Sequence, residues 1–285
     1  MTLVKMKEIL EHAEANQYGV GAFSVANMEM VMGAVRAAEE LRSPLILQIA
    51  EVRLKHSPLH IIGPAMVAAA KAATVPAAVH FDHGLTEEKI REALEIGFSS
   101  IMYDGSHHPL GKNIAETQKI VAIAREYGAT VEAEIGQVGG SEDGSVDLEV
   151  LITSTEEAKQ FASETMIDAL AIAIGNAHGM YKGDPHLRMD RLEEIHAEVD
   201  IPLVLHGGSG ISEKVFRKCI HHGIRKINVA TSTFNQVVNM VNEEAPFHNF
   251  FSYHESVIEA AAENVKRHIR MFQSDGRVEE VKAYV

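Results

Sequence analysis

Three histidines, His83, His178 and His206, each follow a short apolar run of the sequence. Neutral imidazole is the commonest zinc ligand, and three histidines that leave one coordination position open are typical of a catalytic metal site. None of them belongs to a local pair such as HExxH, so they form a site only if the fold brings them together. The chain has 16 histidines, and a surface or hydrogen-bonded core position is the alternative for each.

Carboxylates accompany the histidines. Asp82 precedes His83, Asp104 ends another apolar run, and Glu132 and Glu134 alternate along a third. A carboxylate near a cation has a lowered pKa and can act as a base. The alternative is that it accepts a hydrogen bond from a metal-binding histidine. The residues themselves leave both roles open.

Apolar runs alternate regularly with amphipathic stretches along the chain, and the strands and helices that they predict determine where the histidines and carboxylates lie. Continuous apolar runs predict strands buried on both faces, as in a parallel sheet. The predicted strands are 18–24, 44–50, 76–82, 99–104, 130–135, 167–175, 201–206 and 225–230. The predicted helices are 4–16, 28–41, 57–73, 86–96, 111–127, 155–165, 188–198, 213–222, one from 232 and one at 254–272.

Eight such units predict an α/β fold, a closed (β/α)8 TIM barrel with an extra N-terminal helix and a long C-terminal helix. A doubly wound open sheet is the alternative. No linker or break in composition divides the chain, so we expect one domain over 1–285. The Gly-rich, acidic segment 136–154 is the longest irregular piece and is predicted to be a mobile lid.

Two segments in this scheme fit a phosphate. The turn 207–210 (GGSG) exposes backbone N–H groups without a Cβ in the way, and 228–232 (NVATS) leads into a helix N-terminus. The loops after strands seven and eight are the frequent phosphate site of such barrels. Backbone donors would hold an anion although the net charge of the chain is −14.

Composition excludes several classes of protein. With 26 basic and 40 acidic residues, the chain is unsuited to a nucleic-acid surface. Its only cysteine, Cys219, excludes a disulfide framework and a Cys-based zinc site. No apolar run approaches the ~18 residues of a membrane helix, and the N-terminus opens into a charged amphipathic pattern rather than a signal peptide. We expect a cytoplasmic protein without nucleic-acid or membrane partners.

Six stretches together resemble the class II, metal-dependent fructose-bisphosphate and tagatose-bisphosphate aldolases. The stretches are 78–84 (AVHFDHG), 101–109 (IMYDGSHHP), 131–144 (VEAEIGQVGGSEDG), 171–181 (AIAIGNAHGMY), 202–210 (PLVLHGGSG) and 224–231 (IRKINVAT). The resemblance covers nearly the whole chain, and NVAT is closer to the tagatose-bisphosphate branch. It implies a lyase that cleaves a phosphorylated ketose to dihydroxyacetone phosphate and an aldehyde, as a homodimer or homotetramer.

The resemblance also implies roles for residues. His83, His178 and His206 match the ligands of the catalytic Zn²⁺, and Asp82 matches the proton shuttle at the hydroxyl beside the broken bond. Glu142, in segment 136–154, matches the lid carboxylate that takes a proton from dihydroxyacetone phosphate.

Further positions match the family in the same way. Asp104 and Glu134 correspond to an alternative metal position, and a monovalent cation, Na⁺ or K⁺, is implied near the phosphate. The implied segments for binding the ketose phosphate contain Gly179, Gly207, Gly208, Ser209, Asn228, Ala230, Thr231 and Ser232.

The other end of the substrate matches less well. Ser24 stands where members that cleave bisphosphates usually carry Asn, and its hydroxyl reaches less far than an amide. The stretch 253–262, which corresponds to the helix that often supplies an arginine to the second phosphate, contains none. Arg53 or Lys55 are the possible substitutes. We therefore predict dihydroxyacetone phosphate as the donor and an aldehyde that need not carry a phosphate.

Two other functions remain open, and a third interpretation, a different aldolase mechanism, is set aside. A metal-dependent sugar-phosphate epimerase or isomerase would use a similar barrel, and a non-catalytic phosphosugar-binding protein would keep the fold without turnover. A Schiff-base aldolase needs a lysine at the site. Lys226, the only suitable barrel lysine, starts the eighth predicted strand and is expected at the bottom of the barrel.

Overall fold

Eight parallel strands form a closed barrel in chain order, in a computed structural model that describes residues 2–140, 150–181 and 185–278. The strands are β1 Val20–Ser24, β2 Leu45–Ala50, β3 Ala77–Gly84, β4 Ser100–Tyr103, β5 Thr130–Ile135, β6 Ala169–Ile172, β7 Leu203–Leu205 and β8 Ile224–Val229. β1 pairs with both β2 and β8, which closes the sheet. The predicted TIM barrel is confirmed and the open sheet is excluded.

Helices surround the barrel. They are α1 Met6–Asn16, α2 Met28–Glu40, α3 Leu59–Ala72, α4 Glu87–Ile96, α5 Leu110–Glu126, α6 Thr155–Thr165, α7 Met189–Glu198, α8 Glu213–His221, α9 Thr231–Glu244 and α10 Phe250–Phe272. Asn27, Thr86 and Ser154 cap α2, α4 and α6 by accepting a backbone N–H. These caps fix where each helix starts. No helix of the described part of the chain is long and apolar enough to span a membrane.

β6 is shorter than the predicted strand 167–175. Ala173 N donates to Thr153 Oγ1 at 2.9 Å, and Ile174 N donates to Asn176 Oδ1 at 2.8 Å. Because side-chain oxygens take these two amides, the sheet ladder ends at Ile172 although the apolar run continues.

At helical spacing, Met28, Val31, Met32, Val35 and Ala38 share one stripe of α2, but the structure does not bury this stripe as a whole. Val31 and Ala38 are buried, but Met28 and Met32 are exposed. The buried face turns instead toward α10, which approaches so closely that a Cβ on Gly33 would lie 2.5 Å from Ile258 O.

The N-terminal end of the barrel is closed by α1. Met6, Ile9 and Leu10 are buried in one cluster with small interior residues such as Ala22 and Ala78. The polar strand ends lie at the other, carboxyl-terminal end, where the chemistry of such barrels is found.

Candidate active site

The three predicted metal-binding histidines come together. His83 lies at the end of β3, and His178 and His206 follow β6 and β7. One ring nitrogen from each lies within 4.8 Å of the others. His83 has a left-handed φ of 41°, at the point where the β3–β4 register shifts between Phe81 and Gly84.

Two of the rings are held by carboxylates. His83 Nδ1 lies 2.8 Å from Asp104 Oδ2, and His206 Nε2 lies 2.9 Å from Glu132 Oε1. A carboxylate accepts, so these nitrogens carry the N–H and the other nitrogen of each ring presents a lone pair. Those two nitrogens, His83 Nε2 and His206 Nδ1, face each other at 2.9 Å. Two opposed lone pairs need a proton or cation between them, so the donor set fits a divalent metal.

A second cluster shares His83. Its ring, Asp104 and Glu134 offer ligand atoms within 4.8 Å of one another, as the alternative metal position requires. Burial raises the pKa of Glu134 to about 8, and the charge of Asp104 adds to the effect. Burial also favours the neutral form of Asp104, but hydrogen bonds from His83 and Ser106 outweigh it and lower the pKa of this carboxyl.

Asp82 is fully buried beside the histidines. Its Oδ1 accepts from Asn228 Nδ2 and its Oδ2 from Gln48 Nε2, both at 3.1 Å. Gln48 Nε2 also donates to Ser24 Oγ at 3.2 Å. Gln48 therefore links Ser24 to Asp82 in this hydrogen-bond network. The sequence analysis did not select Gln48. The signal was a single amide in the otherwise apolar run LILQIA.

A small cavity lies between β6, β7 and β8. It is lined by His178, Gly179, Gly207, Ser209, Asn228, Ala230 and Thr231. The cavity includes most of the predicted phosphate segments and lies at the N-terminus of α9, where backbone donors and the helix dipole favour an anion.

Two predicted phosphate residues support this cavity from behind. Gly208 N donates to Asn228 O at 2.9 Å, and Ser232 N donates to Ser209 Oγ at 3.0 Å. Because both amides are already used within the chain, Gly208 and Ser232 hold the shape of the cavity and do not offer these N–H groups to an anion.

A wider cavity of about 370 Å³ opens beside the first. Its lining comprises Val52, His83, Leu85, Asp104, Ser106, His107, Glu134, Gln137, Val138, Gly140 and His178. These described lining residues include no lysine or arginine. Arg53 lies instead with its guanidinium 5.3 Å from the centre of the Phe234 ring, and Lys55 is exposed.

Glu142, which is predicted to lie in a lid, is outside the described residues. The two described ends of segment 136–154 are tied to the barrel mouth: Gln137 pairs with Leu151, and Gly139 pairs with Ala177 beside His178. The segment thus begins and ends at the edge of the wider cavity.

The backbone of Lys226 lies low in the barrel as expected, paired with Val20 at the start of β1, but its ammonium does not stay there. Lys226 is the third residue of β8 and fully buried, and its Nζ lies 2.8 Å from Glu132 Oε2 and 2.7 Å from Asn228 Oδ1. The long side chain therefore extends upward to the layer directly below the histidines.

A larger groove of about 480 Å³ lies on the outer surface between α8, α9 and α10. Its exposed charges, Glu213, Glu263, Arg267 and Arg270, are of both signs. None of the predicted site residues is in its lining.

Comparison with known proteins decides the family. The family described as fructose-bisphosphate aldolase class-II matches residues 4–277. This chain belongs to that family. It is therefore an aldehyde-lyase, whose reaction is the retro-aldol cleavage of a phosphorylated sugar, and the class is metal-dependent.

Individual relatives of this class II aldolase differ in substrate. A fructose-bisphosphate aldolase of Staphylococcus aureus (strain Mu50 / ATCC 700699) is 38% identical, covering 97% of this chain and 99% of its own. A 6-phospho-5-dehydro-2-deoxy-D-gluconate aldolase of Bacillus subtilis (strain 168) is also 38% identical, covering 97% and 98%. The crystal structure of the YdjI aldolase from Escherichia coli K12 superposes with a TM-score of 0.88, at 32% identity and 97% and 99% coverage. Equal identity to two aldolases with different substrates does not choose between them, so the tagatose-bisphosphate branch remains a prediction.

Proposed function

We propose that this class II aldolase is a zinc enzyme that reversibly cleaves a ketose phosphate to dihydroxyacetone phosphate and an aldehyde. The proposal includes one domain over 1–285, a cytoplasmic location and a homodimer or homotetramer. The observation that carries it is the pair of opposed imidazole nitrogens, His83 Nε2 and His206 Nδ1, 2.9 Å apart beside the buried Asp82.

The histidine donor set suits zinc. His83, His178 and His206 would bind the ion and leave a position open for substrate. Bound there, zinc supplies positive charge that stabilises the negative charge developing on the ketol oxygens. Asp104 and Glu132 hold two of the rings at their other nitrogen, and Asp104 with Glu134 provides the alternative position.

Asp82 is the proposed proton acceptor. In cleavage it takes the hydroxyl proton beside the breaking carbon–carbon bond, and in condensation it returns it. The amides of Gln48 and Asn228 hold both of its oxygens. Glu142 is proposed to exchange the carbon proton of dihydroxyacetone phosphate. This second step needs no proton transfer by Asp82.

The small cavity is the proposed site of the donor phosphate. Gly179, Gly207, Ser209, Ala230 and Thr231 line it together with Asn228 and His178, and a monovalent cation is proposed nearby. With almost no side-chain charge in its lining, the site relies on backbone N–H groups and the start of α9.

The wider cavity is the proposed site of the aldehyde, and we propose that this aldehyde carries no phosphate. Its described lining residues provide no lysine or arginine to a second phosphate. The Bacillus subtilis relative is named for a sugar acid with one phosphate, which supports the same interpretation.

Proton exchange tests the donor half without knowledge of the aldehyde. Zinc-loaded protein is incubated with dihydroxyacetone phosphate in D₂O, and one C3 proton is followed by NMR with and without a chelator. We expect stereospecific exchange that the chelator abolishes. A folded, zinc-loaded protein that shows no exchange and cleaves no ketose phosphate would contradict the proposal.

A substrate panel tests the acceptor half. We expect higher kcat/KM for ketose 1-phosphates than for fructose or tagatose 1,6-bisphosphate. Bisphosphate cleavage as fast as that of any monophosphate would show that the acceptor is phosphorylated after all. Interconversion of ketose phosphates without release of a three-carbon product would identify an epimerase or isomerase.

A further inference from the structure

A buried ion pair lies directly beneath the proposed site. Lys226 Nζ is 2.8 Å from Glu132 Oε2, and both side chains are fully buried. Buried ion pairs are weak contributors to stability, because apolar residues of the same volume often do as well or better. The pair is therefore expected to have a role besides stability.

The ammonium of Lys226 has a second partner, Asn228 Oδ1, at 2.7 Å. An ammonium can only donate, so it fixes which way the Asn228 amide faces: the oxygen toward Lys226 and the NH₂ away from it. The NH₂ then donates to Asp82 Oδ1 at 3.1 Å. Two hydrogen bonds thus connect Lys226 to the proposed proton acceptor.

Glu132 connects the same lysine to the metal-binding histidines. Its Oε2 pairs with Lys226, and its Oε1 accepts from His206 Nε2 at 2.9 Å. Lys226 itself lies below both Asn228 and Glu132, and among the described residues its Nζ is linked to Asp82 and His206 through these two side chains.

On the basis of the proposed function, we propose that Lys226 is a positioning residue for carbon–carbon cleavage. It acts through Asn228, whose amide it holds with the N–H groups toward Asp82. Without Lys226 the amide can turn by about half a rotation and present its oxygen to the Asp82 carboxylate, which would repel that carboxylate from its place. The hydrogen bond from Gln48 to the other oxygen of Asp82 would remain, so the carboxylate would be pushed from one side.

The rates of the two proposed steps of the reaction, compared with each other, distinguish this positioning role from a structural one. Cleavage uses Asp82, whereas exchange of the C3 proton does not. Loss of zinc or damage to the barrel would slow both steps alike. Misplacement of Asp82 would slow cleavage selectively.

The first variant is Lys226→Met, which keeps most of the length of the side chain and removes its donor. We expect kcat of cleavage to fall about 100-fold and C3 proton exchange to fall less than about threefold, since misplacing a reacting group by ~1 Å can cost about 100-fold. Zinc content, measured separately, is expected to equal that of the wild type. Equal losses in cleavage and exchange would overturn the proposal.

A second variant guards against misfolding, because Lys226→Met leaves the buried Glu132 unpaired. Lys226→Met with Glu132→Gln removes both charges, and the glutamine oxygen can still accept from His206. The same selective loss of cleavage, relative to Glu132→Gln alone, is expected. Cleavage within about threefold of that parent would overturn the proposal.

Arg225→Met is the matched control. Arg225 precedes Lys226 in β8, is also buried, and pairs with Glu14 at 3.0 Å on the outer side of the strand. The guanidinium of Arg225 donates to Ile220 O, Ile224 O and Glu14 Oε1, none of which belongs to the proposed site. We expect both rates to stay within about threefold of wild type, even where stability falls.

A double-mutant cycle with Asn228→Ala tests the route. If Lys226 acts through Asn228, Lys226→Met has little further effect once the amide is gone. Equal fold losses with and without Asn228 would contradict that route. The wild type is assayed first: if it performs neither exchange nor cleavage, the proposed function fails, whereas an active wild type with an equally active Lys226→Met variant defeats only this inference.

Discussion

The two sides of the barrel mouth are built differently. The small cavity at the ends of β6, β7 and β8 is lined mostly by glycines and other small residues, so its shape depends mainly on the backbone, and internal hydrogen bonds from Gly208 and Ser232 fix that shape. The wider cavity at the ends of β2 to β6 is made of side chains, including Val52, Leu85 and His107. His178 lines both.

This difference has a physical consequence for specificity. A backbone-built cavity changes only if the path of the chain changes, whereas a side-chain-built cavity changes with one substitution. We therefore expect the phosphate end of the substrate to be the fixed part and the aldehyde end to be the variable part. The two relatives with different names and the same 38% identity are consistent with that division.

The largest effect is expected from Asp82→Asn, because Asp82 precedes His83 of the wider cavity and accepts from Asn228 of the small one. An amide cannot take the hydroxyl proton, so kcat of cleavage should fall by about 10³-fold while C3 proton exchange falls by less than about tenfold. Steady-state cleavage and NMR exchange measure the two rates. If exchange falls as far as cleavage, the two sides do not work separately. The exposed Asp200→Asn is the control and should change neither rate.

Gly207→Ala tests the backbone-built side. Gly207 has a φ of 69°, and a Cβ there would collide with Ala177 O. The left-handed conformation alone costs a residue other than glycine about 1–2 kcal/mol. We expect a free energy of unfolding lower by about 2 kcal/mol or more, and a KM for the ketose phosphate raised about tenfold.

Urea unfolding and steady-state kinetics measure the two effects. Gly111→Ala, where a Cβ would meet no atom within 4 Å, is the control. Unchanged KM in a Gly207→Ala variant would mean that this turn does not form the phosphate site.

Leu85→Arg tests the side-chain-built side. Leu85 lines the wider cavity and is 46% exposed, so a long cation can be placed there without burial. A hydrogen bond to a charged group is worth about 1.5–3 kcal/mol, reduced here by solvent. We expect the ratio of kcat/KM for bisphosphate over monophosphate to rise about tenfold. Leu85→Gln, without the charge, should leave the ratio unchanged, and a rise with Gln as well would refute the electrostatic explanation.

The smallest effect on activity, none at neutral pH, is expected from His268→Leu. His268, in α10, packs against Phe23 of β1 and Phe216 of α8. Burial lowers its pKa to about 4 from the ordinary 6.5. The unfolded chain therefore binds one more proton than the folded protein between these values, and stability falls as the pH falls from 6.5 to 4.

The expected contribution of this histidine is about 3 kcal/mol over that window. Urea unfolding of wild type and His268→Leu at pH 7.5 and pH 4.5 measures it. We expect the variant to lose less stability on acidification. Identical losses in the two proteins would mean that another group causes the acid sensitivity.

The barrel could be predicted from sequence because each strand is a continuous apolar run and several helices begin at a capping side chain. The boundaries of the strands were harder to predict from the sequence. β6 ends early because Thr153, far along the chain, takes its next amide, and no local pattern shows such a contact. The ring-holding role of Glu132 was open in the sequence, and the contact with His206 decides it.

Individual site residues could be predicted from the sequence where their residue type is typical of one chemistry. The three histidines fit a metal wherever a barrel places them together. Gln48 and Lys226 were harder, because an amide or a lysine within a strand has many roles. Only the inward side-chain direction and the reach of the lysine, which brings Nζ to Asn228, reveal what these two residues touch.

The closure of the barrel by α1 also affects how substrate enters the site and how products leave it. With Met6, Ile9 and Leu10 packed under the strands, the described residues close the interior at that end. A substrate and both of its products must then use the same opening, in opposite directions. Product that lingers at the mouth delays the arrival of the next sugar, so how quickly each fragment departs becomes part of the turnover time.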